Sequence, residues 1–333
     1  MAFKEYLAFG CCCVLYVYEH INRSLSPPLF PIEASVFGLS PLITGIITAM
    51  YNITSIMTLL LMPRITSIEK QKTYLIMGGL ILGVFLCIFG LTDYSPNAVV
   101  FILTSLSSRM IIGVGGALVV ACVYPIASSI FPEKHTLITS ALQGCIGLGF
   151  ILGPAIGGLL YAIGGYMVAF TIPGFIGIVL TIISFLILFV PTLHLSDDTK
   201  SISHYAITKF ANNFHIIASS LAALILSSQM GLRDSAFSAY LFNIYNFNSA
   251  TTAFLFTARS IMFFLGTLVN SIPVSRGYSP HMLCFSIILY FSSSLTYFYP
   301  EVAPEIGSKG YFLFVLVLHG IADSFVYACI RDS

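Results

Sequence analysis

Three carboxylates stand where the surrounding chain is almost wholly apolar: Glu19, Asp234 and Asp323. Each has a basic group close by: His20 beside Glu19, Arg233 beside Asp234, and His319 one helical turn before Asp323. Holding a lone charge in hydrocarbon costs about 2.5–3.5 kcal/mol. A carboxylate kept there binds a proton, binds a cation, or is paired with a fixed base. The first two readings make Glu19, Asp234 and Asp323 a substrate or proton site, and the third makes them structural partners of an arginine. His20 can titrate near neutral pH, although a hydrogen-bonded packing histidine is its expected role. Arg233 and Asp234 point about 100° apart on a helix. Asp234 is therefore placed toward a cavity and Arg233 toward a pairing elsewhere, with Glu19 or Asp323. Arg259 is expected to be structural.

Other chemistries find no residues to carry them. The chain has no His-Glu-x-x-His, no Gly-x-Ser-x-Gly and no phosphate-cradling loop. Its eight cysteines, Cys11-Cys12-Cys13 among them, lack metal-ligand spacing and read as small buried hydrophobes. No catalytic centre, metal or cofactor is expected. A net charge of +1 gives no sign of a nucleic-acid partner.

The elements that must position the carboxylates are set by hydropathy. Only 8% of the 333 residues are charged and 57% are hydrophobic, too little charge to coat a soluble core of this size. Thr136 to Leu193 contains no charged residue and no histidine over 58 positions, with Gly164-Gly165 near its middle. A bilayer crossing needs about 20 apolar residues, so this stretch reads as two membrane helices joined by a tight turn. Ten spans are expected along the chain, near 5–30, 42–62, 74–92, 99–130, 137–161, 167–191, 212–243, 251–273, 281–299 and 310–330. The first is broken up by Glu19, His20, Arg23, Pro27 and Pro28, and hydropathy alone would not select it. The N-terminus shows no cleavable signal pattern.

Basic residues set the orientation. With the N-terminus in the cytoplasm, Lys4, Arg64, Lys70, Lys72, Lys134, Lys200, Lys209 and Arg276 fall inside, and only Arg23 and Lys309 fall outside. The most polar connection, 194–209, divides the chain. The expected organisation is an N-terminal six-helix bundle over 1–192, a cytoplasmic linker over 193–210, and a four-helix bundle over 211–333. The lipid bilayer, a small-molecule substrate and protons are the expected partners, and a monomer is the expected state.

Three features give the chain a family resemblance. Gly149-x-x-x-Gly153-Pro154-x-x-Gly157-Gly158 resembles the helix-5 signature of proton-coupled exporters in the major facilitator superfamily. Arg109-x-x-Ile112-Gly113-x-Gly115-Gly116-Ala117 resembles its helix-4 signature, with Ile where Gln is common. The polar linker and the inside-positive pattern resemble its six-plus-six layout. The resemblance implies an all-α integral membrane fold and alternating access. It also implies a role for Arg109 in proton coupling, which stands beside the alternative of a buried structural ion pair. The helix-5 glycines are expected to pack against a helix of the other bundle, with a bend at Pro154.

A finer resemblance points to the vesicular amine transporter group and its polyamine-transporter-like branch. Pro28-Leu29-Phe30-Pro31-x-Glu33-Ala34 is similar to the end of helix 1 there, and Glu19 lies nine residues before Pro28. Gly231-x-x-Asp234 and Gly320-x-x-Asp323-Ser324 are similar to helices 7 and 10, with acids at matching offsets. The resemblance implies proton-coupled antiport of small organic cations, and the amine carriers it points to sit in acidic vesicles. A carrier of an organic anion, a drug or a neutral solute is the alternative. Two departures stand out. Met62 to Lys72 keeps positive charge but lacks the glycines and Asp of the family's loop between helices 2 and 3. The sequence also ends ten residues after Asp323, before any helix 11 or 12, so a partial gene model or splice form of a twelve-helix protein is expected, with a truncated non-transporting product as a further alternative.

Overall fold

The computed structural model describes residues 2–65, 68–131, 133, 135–189, 237–238, 240–242, 245–275 and 309–332. Arg233, Asp234, the 193–210 linker, the ninth span and most of the seventh lie outside the described residues. Every regular element among those described is helical. They are α1 (Ala2–Val36), α2 (Pro41–Ile65), α3 (Ile68–Leu91), α4 (Ala98–Ile130), α5 (His135–Leu188), α6 (Ser249–Ser275) and α7 (Lys309–Asp332), with a short 3₁₀ turn Thr92–Tyr94 between α3 and α4. The chain divides into two compact units, Met1–Ser201 and Ile202–Ser333.

Five helical stretches among the described residues are long and apolar enough to cross a membrane. The longest, Ile138–Leu188, is 51 residues, about 76 Å at 1.5 Å per residue and enough for two crossings. It contains the turn read from the glycine pair. The backbone leaves helical angles at Gly164 and Gly165, and Gly165 takes φ +72°, a conformation that suits glycine alone. The protein is a multi-pass membrane protein. α1 is one continuous helix despite Pro27, Pro28 and Pro31. Those prolines strip the carbonyls of Arg23, Ser24 and Pro27 of their helical donors, a defect that membrane helices tolerate when neighbours surround the backbone.

In the first unit α1 packs along α5, α3 against α4 and α5, and α2 against α4. The bare faces of glycines make these approaches close. Gly78 and Gly115 press α3 and α4 together, while Gly113 meets the Tyr51 carbonyl and Thr54 of α2. Gly79, Gly83 and Gly90 seat α3 on the second half of α5, against Thr181, Ile178 and Thr171.

The helix-5 signature corrects one expectation. Gly149, Gly153 and Gly157 are spaced by four, so they form one face, and that face presses on α1 of the same unit. A Cβ at Gly149 would meet His20, one at Gly153 would meet Ser24 and the Ile21 carbonyl, and one at Gly157 would meet Leu25. Ser24 Oγ lies 3.0 Å from the Gly149 carbonyl, a bond across the seam. Pro154 sits within helical backbone, and the break falls at Gly164–Gly165 instead. Gly158 is buried one position round the helix from that face.

Gly153→Ala should therefore cost about 1–3 kcal/mol by overpacking, read as a lower midpoint of thermal unfolding in detergent. Gly144→Ala, where an added Cβ meets nothing within 4 Å, is the control and should leave the midpoint in place. Equal midpoints for the two variants would contradict the seam.

Candidate functional site

Glu19 lies midway along α1 and is 1% exposed. Its Oε1 accepts a 2.5 Å hydrogen bond from the Tyr51 hydroxyl of α2. Gly116 of α4 makes room for the pair, since a Cβ there would stand 2.7 Å from Tyr51 Oη and 3.3 Å from Glu19 Oε1. Three helices thus build this corner, and a glycine of the helix-4 signature shapes it.

The second oxygen, Oε2, lies 2.7 Å from His20 Nδ1. That nitrogen is also 2.9 Å from the Tyr16 carbonyl one turn back. Two acceptors compete for one N–H, and the carbonyl is the aligned one, so Oε2 has a close electrostatic neighbour but no aligned donor. The ring of His20 is held edge-on between Tyr16 and Phe150, at 4.6 and 5.6 Å between centroids. His20 is accordingly a packed histidine with one polar edge toward Glu19. Arg23, one turn further on, is exposed; it reaches Asn52 Oδ1 at 3.4 Å and its Cζ stands 6.0 Å from the Tyr51 ring centroid.

Arg109 of α4 is 2% exposed. Its Cζ lies 4.6 Å from the centroid of Phe89, a cation–π contact. Among the described residues, Nε and one terminal nitrogen find no hydrogen-bond partner and no carboxylate pairs with the side chain. Its polar electrostatic neighbours are Tyr166 and Tyr51. The second of these also binds Glu19.

The other unit handles its acid differently. Asp323 of α7 is 1% exposed, and its Oδ2 accepts bonds from Arg259 of α6, at 3.0 Å from Nε and 2.6 Å from a terminal nitrogen. Gly320 explains the reach. A Cβ there would meet the Arg259 carbonyl, so the bare glycine brings α7 close enough to α6 for the pair to close. His319 bonds the Val315 carbonyl of its own helix through Nδ1 at 2.9 Å.

The structure brings together Glu19 and His20, and adds Tyr51, which the sequence did not single out. It gives Asp323 to Arg259, whereas sequence spacing offered Arg233 as a partner. Arg233 and Asp234 lie outside the described residues. A tyrosine inside an apolar span is a weak signal, because its hydroxyl finds partners on many faces. The stronger signal was Gly116, the last bare position of the helix-4 pattern, where something bulky on a facing helix had to fit.

The family profile described as Major Facilitator Superfamily matches residues 12–331. The chain is 24% identical over 261 residues to "MFS-type transporter SLC18B1" of Mus musculus, covering 77% of this chain and 56% of that protein. To the Homo sapiens protein of the same name it is 30% identical over 151 residues, 45% of this chain and 33% of that one. The chain spans about half the length of the curated relatives it matches. Its fold is similar to the inward-facing, unoccupied crystal structure of a bacterial homologue of the human lysosomal transporter Spinster. There the TM-score is 0.73 at 15% identity, with 98% of this chain and 74% of that one covered. A D-xylose–proton symporter gives a TM-score of 0.63 at 12% identity, over 99% and 87% of the two chains. The chain belongs to the Major Facilitator Superfamily, whose members are membrane transporters and not enzymes.

Proposed function

We propose that the protein is a proton-coupled antiporter of small organic cations, amines or polyamines, in which Glu19 holds a proton and a cationic substrate by turns. The observation that carries this reading is the state of Glu19. It is a deeply buried carboxylate with one oxygen bonded to Tyr51 and the other without an aligned donor. A group so placed gains most from a ligand that brings a positive charge or a proton. Because one oxygen cannot hold both, occupancy is exclusive, and exclusive occupancy couples the two fluxes in opposite directions. Asp234 is the proposed partner acid of the second bundle. Asp323 enters the scheme only when a proton or a cation displaces Arg259 from it. The resemblance of the three acid offsets to amine carriers supports the substrate class.

Alternating access about a midplane site is the proposed motion, with the N-terminus cytoplasmic and the membrane that of an acidic vesicle. A second reading rests on Arg109, whose buried guanidinium keeps two nitrogens without hydrogen bonds and could receive an anionic or carbonyl-bearing solute. Competition separates the two. In proteoliposomes driven by a pH gradient, uptake of a labelled amine should fall when spermidine is added and stay level when a dicarboxylate is added. Inhibition by the dicarboxylate alone would favour the Arg109 reading.

A further inference from the structure

The motif Pro28-Leu29-Phe30-Pro31-x-Glu33-Ala34 contains an acid that the Glu19 site does not use. α1 has 35 residues, about 52 Å of helix against about 30 Å of hydrocarbon. The turn that carries Glu33 therefore lies past the first span, 5–30. Even so, Glu33 is only 7% exposed.

Its surroundings are built from three other segments. Asp93, from the Thr92–Tyr94 turn, brings a second carboxyl within hydrogen-bonding reach. Tyr161, in the first half of α5, puts its hydroxyl 3.4 Å from Glu33 Oε2. Tyr166, in the second half, is 1% exposed; among the described residues its hydroxyl has no aligned hydrogen-bond partner, with Thr92, Arg109, Glu33 and Asp93 as its polar neighbours. Phe30 and Phe89 pack at 5.2 Å, and Phe89 and Tyr166 at 5.9 Å, closing the cluster on its inner side with aromatic carbon. Among the described residues the nearby cation is Arg109 of α4, which stands by Tyr166 and Phe89 rather than by the carboxyls.

Among the described residues no cation pairs with either carboxyl, so two negative charges at this distance repel and favour a proton held between the groups. We propose that Glu33 and Asp93 share a single proton, making a second proton-binding site at the end of α1 remote from Lys4. The shared proton ties α1 to the α3–α4 turn. The site stands whether or not an amine is carried, so its test and the transport test can fail separately.

The electrostatics agree with the geometry. Burial first, and then the charge of Asp93, push the Glu33 carboxyl up from 4.5 to about 7, against the opposing pull of Tyr161. The folded protein binds the proton over a range in which the unfolded chain has released it. Stability from this site is thus full at pH below about 4.5 and is lost as pH rises through about 7.

Infrared difference spectra of the protein in lipid nanodiscs, recorded against pH, test the assignment. A protonated-carboxyl stretch should disappear with a midpoint near 7 and be missing in Glu33→Gln. Asp93→Asn removes the like charge and should lower the midpoint by about one unit or more. Tyr161→Phe removes a hydrogen bond to the carboxylate and should raise it. These two variants carry the test if Glu33→Gln fails to fold. Midpoints that stay put in both, or a band that survives Glu33→Gln, would overturn the shared proton.

Discussion

Glu19→Gln should reduce amine uptake driven by a pH gradient to background while the protein still folds and inserts. The substitution keeps size and most hydrogen-bonding capacity but removes both the titratable proton and the negative charge. A hydrogen bond to a charged group is worth about 1.5–3 kcal/mol, so affinity for a cationic substrate should fall roughly 10- to 150-fold. Coupling should be lost altogether, because the glutamine has no proton to exchange. Tyr51→Phe is the graded companion. It keeps the carboxylate but removes the 2.5 Å bond to Oε1, and so should shift the pH dependence of uptake while retaining turnover. Reconstituted protein assayed for labelled amine, with expression checked by fluorescence-detected size exclusion, gives both readouts. Undiminished, pH-responsive uptake in Glu19→Gln would remove Glu19 from the scheme.

Neutralising one member of the Arg259–Asp323 pair should cost more in stability than any surface change. Both side chains are buried, and their bonds of 3.0 and 2.6 Å converge on a single oxygen. Breaking such a pair leaves an uncompensated charge and costs about 3–5 kcal/mol. Asp323→Asn and Arg259→Met should each lower the thermal unfolding midpoint steeply. The double variant Arg259→Met, Asp323→Leu removes both charges and should recover most of the loss, since apolar replacement of a buried pair is often near neutral. Single variants as stable as the parent would show that the pair carries little. Full destabilisation in the double would assign the loss to packing instead.

The sequence revealed the two acids to the same extent. That Glu19 and Asp323 sit inside helices was legible, because a charge within an apolar run stands out. Which groups would meet them was not. Helical spacing places a residue on a face but says nothing of the helix opposite, so Tyr51 could not be matched to Glu19, nor Arg259 to Asp323. The glycine pair 164–165 was read as a turn because it lies near the middle of 58 uncharged residues, about one crossing from either end, and the backbone breaks there. The helix-5 glycines were legible as a close seam, but the partner was assigned to the wrong side. The family pattern suggested the other bundle, whereas α1, carrying His20 and Ser24, occupies that face. α1 was expected near 5–30 although its polar and proline residues break a hydropathy window, and they do not break the helix.

The turn at Gly164–Gly165 has a mechanical consequence. With a joint only two residues long, the two halves of α5 have no slack to slide past each other lengthwise. The first half is lashed to α1 through Gly149 and Gly153, and the second to α3 through Gly79 and Gly83. A displacement of α1 at Glu19 should therefore be passed on to α3 through these two seams. The first unit should behave as a stiff block, with any flexing of the cycle taken up outside it.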